Sequence, residues 1–272
     1  MRDRFLRLLT TFAALLTLGV LLALATYILI RGIPCLRPSL FSPVYTSENV
    51  SLLPALINTL TVTALSLLFA LPAGVGAAIY LGEYARRGSR LAAVVRLAAE
   101  TLQGIPSILY GLFGYLLWGL RLGWGFSILG GALTLAVMIL PVILRTTEEA
   151  LRSVPDSWRE SCLGLGAGRL RTITRVVLPA AAPGILAGAI LSVGRVVGET
   201  AALLYPAGTA TGVAESLFSS CRTLSIHMYA LLSEGLHTDA AYATAVVLLV
   251  LVAGINTLSA ILARRAVRRR WS

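Results

Sequence analysis

Six long apolar stretches, separated by short polar segments, dominate the chain. They cover residues 8–30, 53–81, 91–117, 126–144, 181–204 and 241–262. A helix that crosses a bilayer needs about 20 mostly apolar residues, because about 30 Å of hydrocarbon is covered at about 1.5 Å per residue. The pattern therefore predicts an all-α membrane protein with six transmembrane helices.

The composition excludes a water-soluble domain. Of the 272 residues, 57% are hydrophobic and 13% are charged, whereas soluble domains carry about 25% charged residues. The net charge of +11 would suit a nucleic-acid-binding protein, but all 23 basic residues are arginines confined to a few short stretches. We therefore expect lipid and no nucleic acid around this chain, and a location in the cytoplasmic membrane.

The distribution of arginine predicts the orientation, because arginine-rich short loops stay in the cytoplasm. With the N-terminus inside, the predicted cytoplasmic segments hold 18 arginines and the outer segments hold 4. Both termini are therefore predicted to be cytoplasmic. We divide the chain into an N-terminal helix and first outer loop (1–50), a main membrane domain (51–263) and a basic tail (264–272).

The loop between the fourth and fifth apolar stretches, residues 145–180, carries the most specific motif. Asp156 follows Pro155, and its carboxylate suits the positive end of a helix, so we expect Asp156 to be an N-cap. Gly166 is expected to end that helix in a left-handed conformation. The pattern predicts two short helices joined near 164–168. The apolar side chains available to fill a groove are Trp158, Leu163 and Leu165.

This loop resembles the EAA loop of ABC importer permeases. That pattern has a Glu, two small residues, a Gly six positions after the Glu, and later an aliphatic residue before Leu-Pro. The matching residues here are Glu160, Gly166, Val176, Leu178 and Pro179. Ser161 and Cys162 stand where the family usually has two alanines, which keeps the side chains small. The resemblance implies a coupling helix that docks into a cytoplasmic ATP-hydrolysing subunit.

Further stretches resemble the permeases of phosphate importers, and the A-type subunit in particular. They are residues 73–84, 100–114, 194–201, 222–229 and 239–245. The resemblance implies a type I ABC importer fold and a non-enzymatic subunit that moves inorganic phosphate. The implied partners are a C-type permease, two ATP-binding subunits and an extracytoplasmic phosphate-binding protein. This chain lacks a Gly-x-x-x-x-Gly-Lys-Ser/Thr loop, so we expect ATP and Mg²⁺ only in the partner subunits.

Three ionisable side chains stand out within the predicted spans, where each costs roughly 2.5 kcal/mol or more. Arg195 and Glu199 are four residues apart, so we expect them on one helical face. They form either a structural pair or, as the resemblance implies, part of the pathway. In the second case Arg195 binds phosphate and Glu199 accepts a hydrogen bond from it. Glu100 precedes Gly104 and Pro106, which are expected to interrupt the third span, and it is either a pathway residue or a structural glutamate.

Two alternative functions remain. A permease for phosphonate, molybdate or sulfate would share this architecture. A membrane enzyme acting on a lipid phosphate would need acidic metal ligands or a nucleophile–base pair near the interface, and it is disfavoured. We expect no metal site. Cys35 and Cys221 are predicted on the same side of the membrane, and whether they pair is left open.

Overall fold

The computed structural model describes residues 2–86 and 88–268, and within these ranges all regular secondary structure is helical. The helices are α1 (Arg2–Gly32), α2 (Leu53–Ile79), α3 (Arg90–Gln103), α4 (Ser107–Gly114), α5 (Ile128–Arg152), α6 (Asp156–Gly164), α7 (Arg169–Thr172), α8 (Leu178–Val197), α9 (Ala201–Leu204), α10 (Leu224–Glu234) and α11 (Thr238–Arg268). Single π-helical turns follow α2, α4 and α7, at Tyr80–Tyr84, Tyr115–Arg121 and Ile173–Val177.

Five helical segments in this part of the chain are long and apolar enough to cross a membrane. The predicted third span, 91–117, is not among them because it is divided between α3 and α4. The all-α prediction is confirmed. The predicted tail, 264–272, begins inside α11, and residues 269–272 lie outside the described residues.

The core is built around α5, which packs closely against α2 and α8. Its side chains Leu135, Ile139 and Ile143 are at most 1% exposed. Gly74 of α2 lies so close to α5 that a Cβ there would be 2.7 Å from Ile143 Cγ2. Small residues permit this close approach of the two helices. Close packing matters here because lipid is as apolar as the side chains, so helices in a membrane associate largely through dispersion contacts.

Helix α1 lies apart from the core and is almost entirely exposed in the isolated chain. The C-terminal end of α1 meets the beginning of α11, where the Tyr27 and Tyr242 rings pack edge to face with centroids 6.2 Å apart. Gly32 also approaches Val246 closely, since a Cβ there would lie 2.5 Å from Cγ2. An apolar helix with so little protein cover must lie against lipid or another subunit.

The predicted interruption of the third span is confirmed at Gly104–Pro106. Pro106 has no N–H to donate to the Leu102 carbonyl. That carbonyl accepts from the Ile105 N–H at 3.2 Å and from the Tyr110 hydroxyl at 2.7 Å. The broken turn is thus satisfied inside the protein, as irregular backbone at membrane depth must be.

The fifth span differs from the prediction of one helix over 181–204. Helix α8 ends at Val197, Gly198 follows it, and α9 begins at Ala201. The Glu199 carboxylate accepts the backbone N–H of Ala202 at 3.1 Å. Glycine is a poor helix former, and a side chain that bonds nearby backbone competes with the helix. Arg195 and Glu199 therefore do not share a helical face, and that expectation was wrong.

The two interrupted spans meet where α4 packs against α9. A Cβ on Gly111 would lie 2.9 Å from the Ala201 carbonyl oxygen and 3.0 Å from that of Ala202. Only glycine fits this approach, because the opposing atoms belong to the backbone. The breaks in the third and fifth spans are thus held at one place in the fold.

The segment between α9 and α10 is fixed to α2 by Asn58. The Asn58 amide donates to Gly212 O at 2.9 Å and to Arg222 O at 3.2 Å, and its oxygen accepts the N–H of Ala214 at 3.0 Å. Arg222 is 8% exposed and contacts the ring of His227, with 3.4 Å between Nη1 and Nδ1. Burial and this guanidinium lower the pKa of His227 to about 4.

The three cysteines are free thiols in this structure. Cys35 donates to the carbonyl of Arg31 at 3.3 Å, and Cys221 is fully buried. The pairing of Cys35 with Cys221, which the sequence left open, is not formed. Among the described residues no group of His, Cys, Asp and Glu could hold a metal ion.

Candidate functional site

The loop after α5 forms the short helix α6, and its first turn differs from the prediction. Pro155 is the N-cap, with φ −58° and ψ 138°, and no side chain caps the helix. Asp156 is the first helical residue rather than the N-cap, so that expectation was wrong. Because the φ of Pro155 is fixed, the chain turns into the helix at Pro155, one residue before the predicted N-cap. The Asp156 carboxylate still lies at the positive end of α6 and accepts a hydrogen bond from Arg159 Nη1 at 3.1 Å.

The end of α6 agrees with the prediction. Gly166 has a φ of +82°. Its N–H donates to Leu163 O at 2.9 Å, and the N–H of Ala167 donates to Cys162 O at 3.0 Å. These two bonds are the Schellman motif, which satisfies the last carbonyls of a helix and requires a left-handed residue. Gly166 therefore directs the chain away from α6 towards α7.

The predicted apolar side chains of this loop are exposed. No residue of α6 is buried, and Trp158, Leu163 and Leu165 are 44%, 53% and 89% exposed. Glu160 is exposed as well. The loop thus presents an apolar surface of the kind that marks a protein contact.

The end of the motif joins this loop to the core. Leu178 opens α8 directly after the π-helical turn, and Pro179 is the second residue of α8. Leu178 packs on a buried cluster that includes Val154 and Val177. The Leu-Pro pair therefore connects the loop rigidly to a long helix of the membrane body.

The candidate pathway residues lie apart from this loop. Arg195 is in the last turn of α8 with its side chain exposed, while the next two residues, Val196 and Val197, are buried. Glu199 is half-buried in the break that follows. Its backbone carbonyl accepts a hydrogen bond from Ser225 Oγ at 2.7 Å. Among the described residues Arg195 forms no ion pair, so the structural pairing with Glu199 is not present.

Glu100 is exposed on α3 and lines a cavity of about 220 Å³ between α3 and α5. The charged residues around it are Arg96, Arg145, Glu148, Glu149 and Arg152. Glu148 is buried and accepts hydrogen bonds from Arg96 at 2.9 Å and Arg152 at 2.7 Å. Glu100 is therefore not the buried glutamate bonded to a hydroxyl that one interpretation required.

Comparison with known proteins identifies the chain. Residues 70–272 match the family described as "Binding-protein-dependent transport system inner membrane component". The chain belongs to this family. It is thus a transport permease of the inner membrane with several membrane-spanning helices, and not an enzyme.

Relatives of this permease agree with that family. A probable ABC transporter permease, YqgI of Bacillus subtilis, is 35% identical over 82% of this chain and 80% of its own length. The phosphate transport system permease PstA 1 of Mycobacterium tuberculosis is 37% identical over 79% of this chain and 71% of its own. PstA of Haemophilus influenzae is 39% identical over 65% and 63%.

Solved structures of ABC importers share the fold of the permease. A bacterial alginate transporter matches with a TM-score of 0.68 at 20% identity, covering 94% of both chains. The methionine transporter MetNI, in an inward-facing form, matches with 0.63 at 22% identity, over 78% of this chain and 93% of that one. The expectation of a type I ABC importer permease fold is thereby confirmed.

The residue that anchors the loop of the permease was not predicted from the sequence. Glu83, 8% exposed in the π-helical turn after α2, accepts hydrogen bonds from Arg159 of α6, the shortest at 2.7 Å. Glu83 and Arg159 are separated by 76 positions, so no local pattern connects them. The available signal was a glutamate directly after an apolar stretch, which needs a partner if it is buried.

Proposed function

We propose that this permease is the A-type membrane subunit of an ATP-driven importer and that it translocates inorganic phosphate. The observation that carries the proposal is the similarity, at 37% and 39% identity, to permeases named for phosphate transport in two distant bacteria. It agrees with the exposed guanidinium within the membrane body, since arginine suits oxyanions through its planar fork of donors.

Arg195 is the residue that contacts phosphate in this proposal. It points away from the core, because Val196 and Val197 face inward. Since charge at this depth is costly unless it faces protein or water, the exposed face of α8 would line a path shared with a second permease. The path would pass the helix breaks at Gly104–Pro106 and Gly198, because transporters place their substrate sites at interrupted helices.

The two glutamates have secondary roles in the pathway. Glu199 uses Oε1 to cap α9, and its Oε2 has no hydrogen-bond partner among the described residues. That oxygen would accept a hydrogen bond from a protonated phosphate, which fully ionised sulfate cannot donate. Glu100 would lie on the cytoplasmic side of the path.

The partners follow from the same proposal. A second, C-type permease would cover the exposed apolar faces, including α1, and lipid would cover the rest. Two ATP-binding subunits, which use ATP and Mg²⁺, would dock on the exposed surface of the loop, and a phosphate-binding protein would deliver the substrate outside. Both termini are cytoplasmic in this arrangement. Segment 1–50 serves as the N-terminal membrane helix with the first outer loop, segment 51–263 as the permease domain, and segment 264–272 as the basic cytoplasmic tail.

Uptake of radiolabelled phosphate tests the proposal. Cells without their own phosphate importers would express the complete system with wild-type permease, Arg195→Ala or the control Arg121→Ala, an exposed arginine at the end of the Tyr115–Arg121 turn. Hydrogen bonds to charged groups contribute about 1.5–3 kcal/mol, so loss of Arg195 should slow uptake roughly 10- to 100-fold at equal membrane levels. The control should transport like the wild type.

Two results would contradict the proposal. Parental uptake by an assembled Arg195→Ala complex would exclude the contact with substrate. Absence of phosphate uptake by the assembled wild-type system, together with uptake of radiolabelled molybdate, sulfate or phosphonate, would assign the permease to another oxyanion.

A further inference from the structure

A buried carboxylate holds α6 against the membrane body. Glu83 lies in the π-helical turn that continues α2, with its side chain 7% exposed. Its Oε1 accepts from Arg159 Nη2 at 2.7 Å and from Nε at 3.2 Å, and its Oε2 accepts from Nε at 3.3 Å. This two-nitrogen contact fixes the orientation as well as the distance of the guanidinium.

The same guanidinium also binds the end of α5. Arg159 Nη1 donates to Val154 O at 2.7 Å, and Nη2 donates to Leu151 O at 2.8 Å. These carbonyls lie at or just beyond the C-terminal end of α5, where helix carbonyls lack intrahelical partners. One side chain of α6 therefore joins α2, α5 and α6 at a single point.

The far side of the loop reaches the same residue. Arg169, which opens α7, donates to the backbone carbonyl of Glu83. Its guanidinium also lies over the ring of Tyr84, 5.1 Å from the centroid. Glu83 and its neighbour thus hold both flanks of the α6 loop, before and after the turn at Gly166.

No residue of α6 is buried, so no buried apolar side chain within α6 duplicates this attachment. A buried ion pair contributes little net stability compared with an apolar pair, but it specifies one geometry. Removing one partner is strongly destabilising, because the other charge is then buried without compensation. Because α6 is tied to α2 through these polar contacts, a displacement of α6 must move the end of α2. Helix α2 in turn packs on α5, the centre of the core.

We infer that Glu83 is the positioning residue through which movement of α6 reaches the membrane helices. It transmits the displacement of Arg159 to α2 and so converts ATP-driven movement at the loop into movement of the pathway. This inference rests on the proposed docking of ATP-binding subunits at α6.

The test compares the complete importer carrying Glu83→Gln with the wild type in lipid nanodiscs. Two ATPase rates are measured, one basal and one stimulated by loaded binding protein. Couplings between sites are typically 5- to 150-fold, so the ratio of stimulated to basal rate should fall at least about fivefold. The basal rate and the amount of bound ATP-binding subunit should stay within about twofold, whereas a merely structural lesion would lower both.

The matched control is Glu148→Gln. Glu148 is also buried, and its carboxylate accepts from Arg96 and Arg152, neither of which belongs to α6. Its variant should keep the wild-type ratio. In a double-mutant cycle, Arg159→Gln should reduce the ratio as Glu83→Gln does, and the double variant should be no worse than either.

An unchanged ratio in Glu83→Gln would overturn the inference, as would an equal loss in Glu148→Gln. The binding protein is loaded with whichever oxyanion the wild-type system imports. A wrong substrate assignment would therefore appear in the uptake assay and leave the ratio measurable.

Discussion

Replacing Gly166 with alanine tests whether the end of α6 shapes the surface that binds the ATP-binding subunit. The φ of +82° lies in the left-handed region, which costs a residue with a Cβ about 1–2 kcal/mol. A Cβ at this position would have no atom within 4 Å, so the change adds backbone strain without a steric clash. The strain corresponds to roughly a 5- to 30-fold shift against the observed loop.

Gly164 provides a control that differs only in backbone conformation. It is the last residue of α6, and its Cβ would also meet nothing within 4 Å. Alanine is favoured over glycine within a helix by about 1 kcal/mol. Gly164→Ala, the same substitution two residues earlier, should therefore stabilise α6, whereas Gly166→Ala should distort the C-terminal end of α6.

The measurement is a titration of purified ATP-binding subunit onto the permease complex in nanodiscs. Gly166→Ala should raise the Kd roughly 5- to 30-fold if the loop must keep its observed shape to bind. Gly164→Ala should leave the Kd unchanged or lower it. Wild-type affinity in Gly166→Ala, or equal weakening in both variants, would refute the reasoning, because the αL ending would then have no part in docking.

Three further predictions concern stability and orientation. Because burial and a nearby guanidinium lower the pKa of His227 to about 4, the unfolded chain binds a proton between pH 6.5 and 4 that the folded protein excludes. Stability should fall by about 3 kcal/mol over that window, and thermal melts of His227→Gln should show a shallower fall. Gly111→Ala should destabilise the complex by about 1–3 kcal/mol through overpacking, whereas Gly76→Ala, with no atom within 4 Å of its Cβ, should not; equal melting temperatures would contradict this. A membrane-impermeant maleimide should label Cys162 in inside-out vesicles only. It should label Cys221 in neither orientation, because burial raises the pKa of that thiol to about 12. Labelling of Cys162 in intact cells would reverse the proposed topology.

Hydropathy was sufficient to predict the long helices, because a bilayer demands about 20 apolar residues wherever a helix crosses it. The break at Pro106 was also predictable, since a proline that lacks its N–H disrupts a helix whatever surrounds it. The helix ending at Gly166 was predictable from the sequence as well. Its left-handed conformation follows from its own sequence position after a short helix and before a turn.

The errors arose where two local solutions compete. At Glu199 the spacing to Arg195 suggested one continuous helix, but Gly198 and the Glu199 carboxylate start a new helix at Ala201. At the loop, Pro155 rather than Asp156 took the N-cap position. Side-chain bonds to nearby backbone and helix continuation differ by about 1 kcal/mol, so packing decides between them, and single-sequence patterns do not contain the packing.

The treatment of arginine in this fold bears on the role of Arg195. Where an arginine serves the structure, the protein supplies acceptors: Glu83 and two carbonyls for Arg159, and Glu148 for Arg96. Arg195 has neither a carboxylate nor a hydrogen-bonded carbonyl among the described residues. A charge at membrane depth without such a partner must face water or be paired with an anion from elsewhere. If that anion is the substrate, Arg195→Ala impairs uptake and leaves assembly intact; if it is a carboxylate of the second permease, the same variant separates the two permeases on purification.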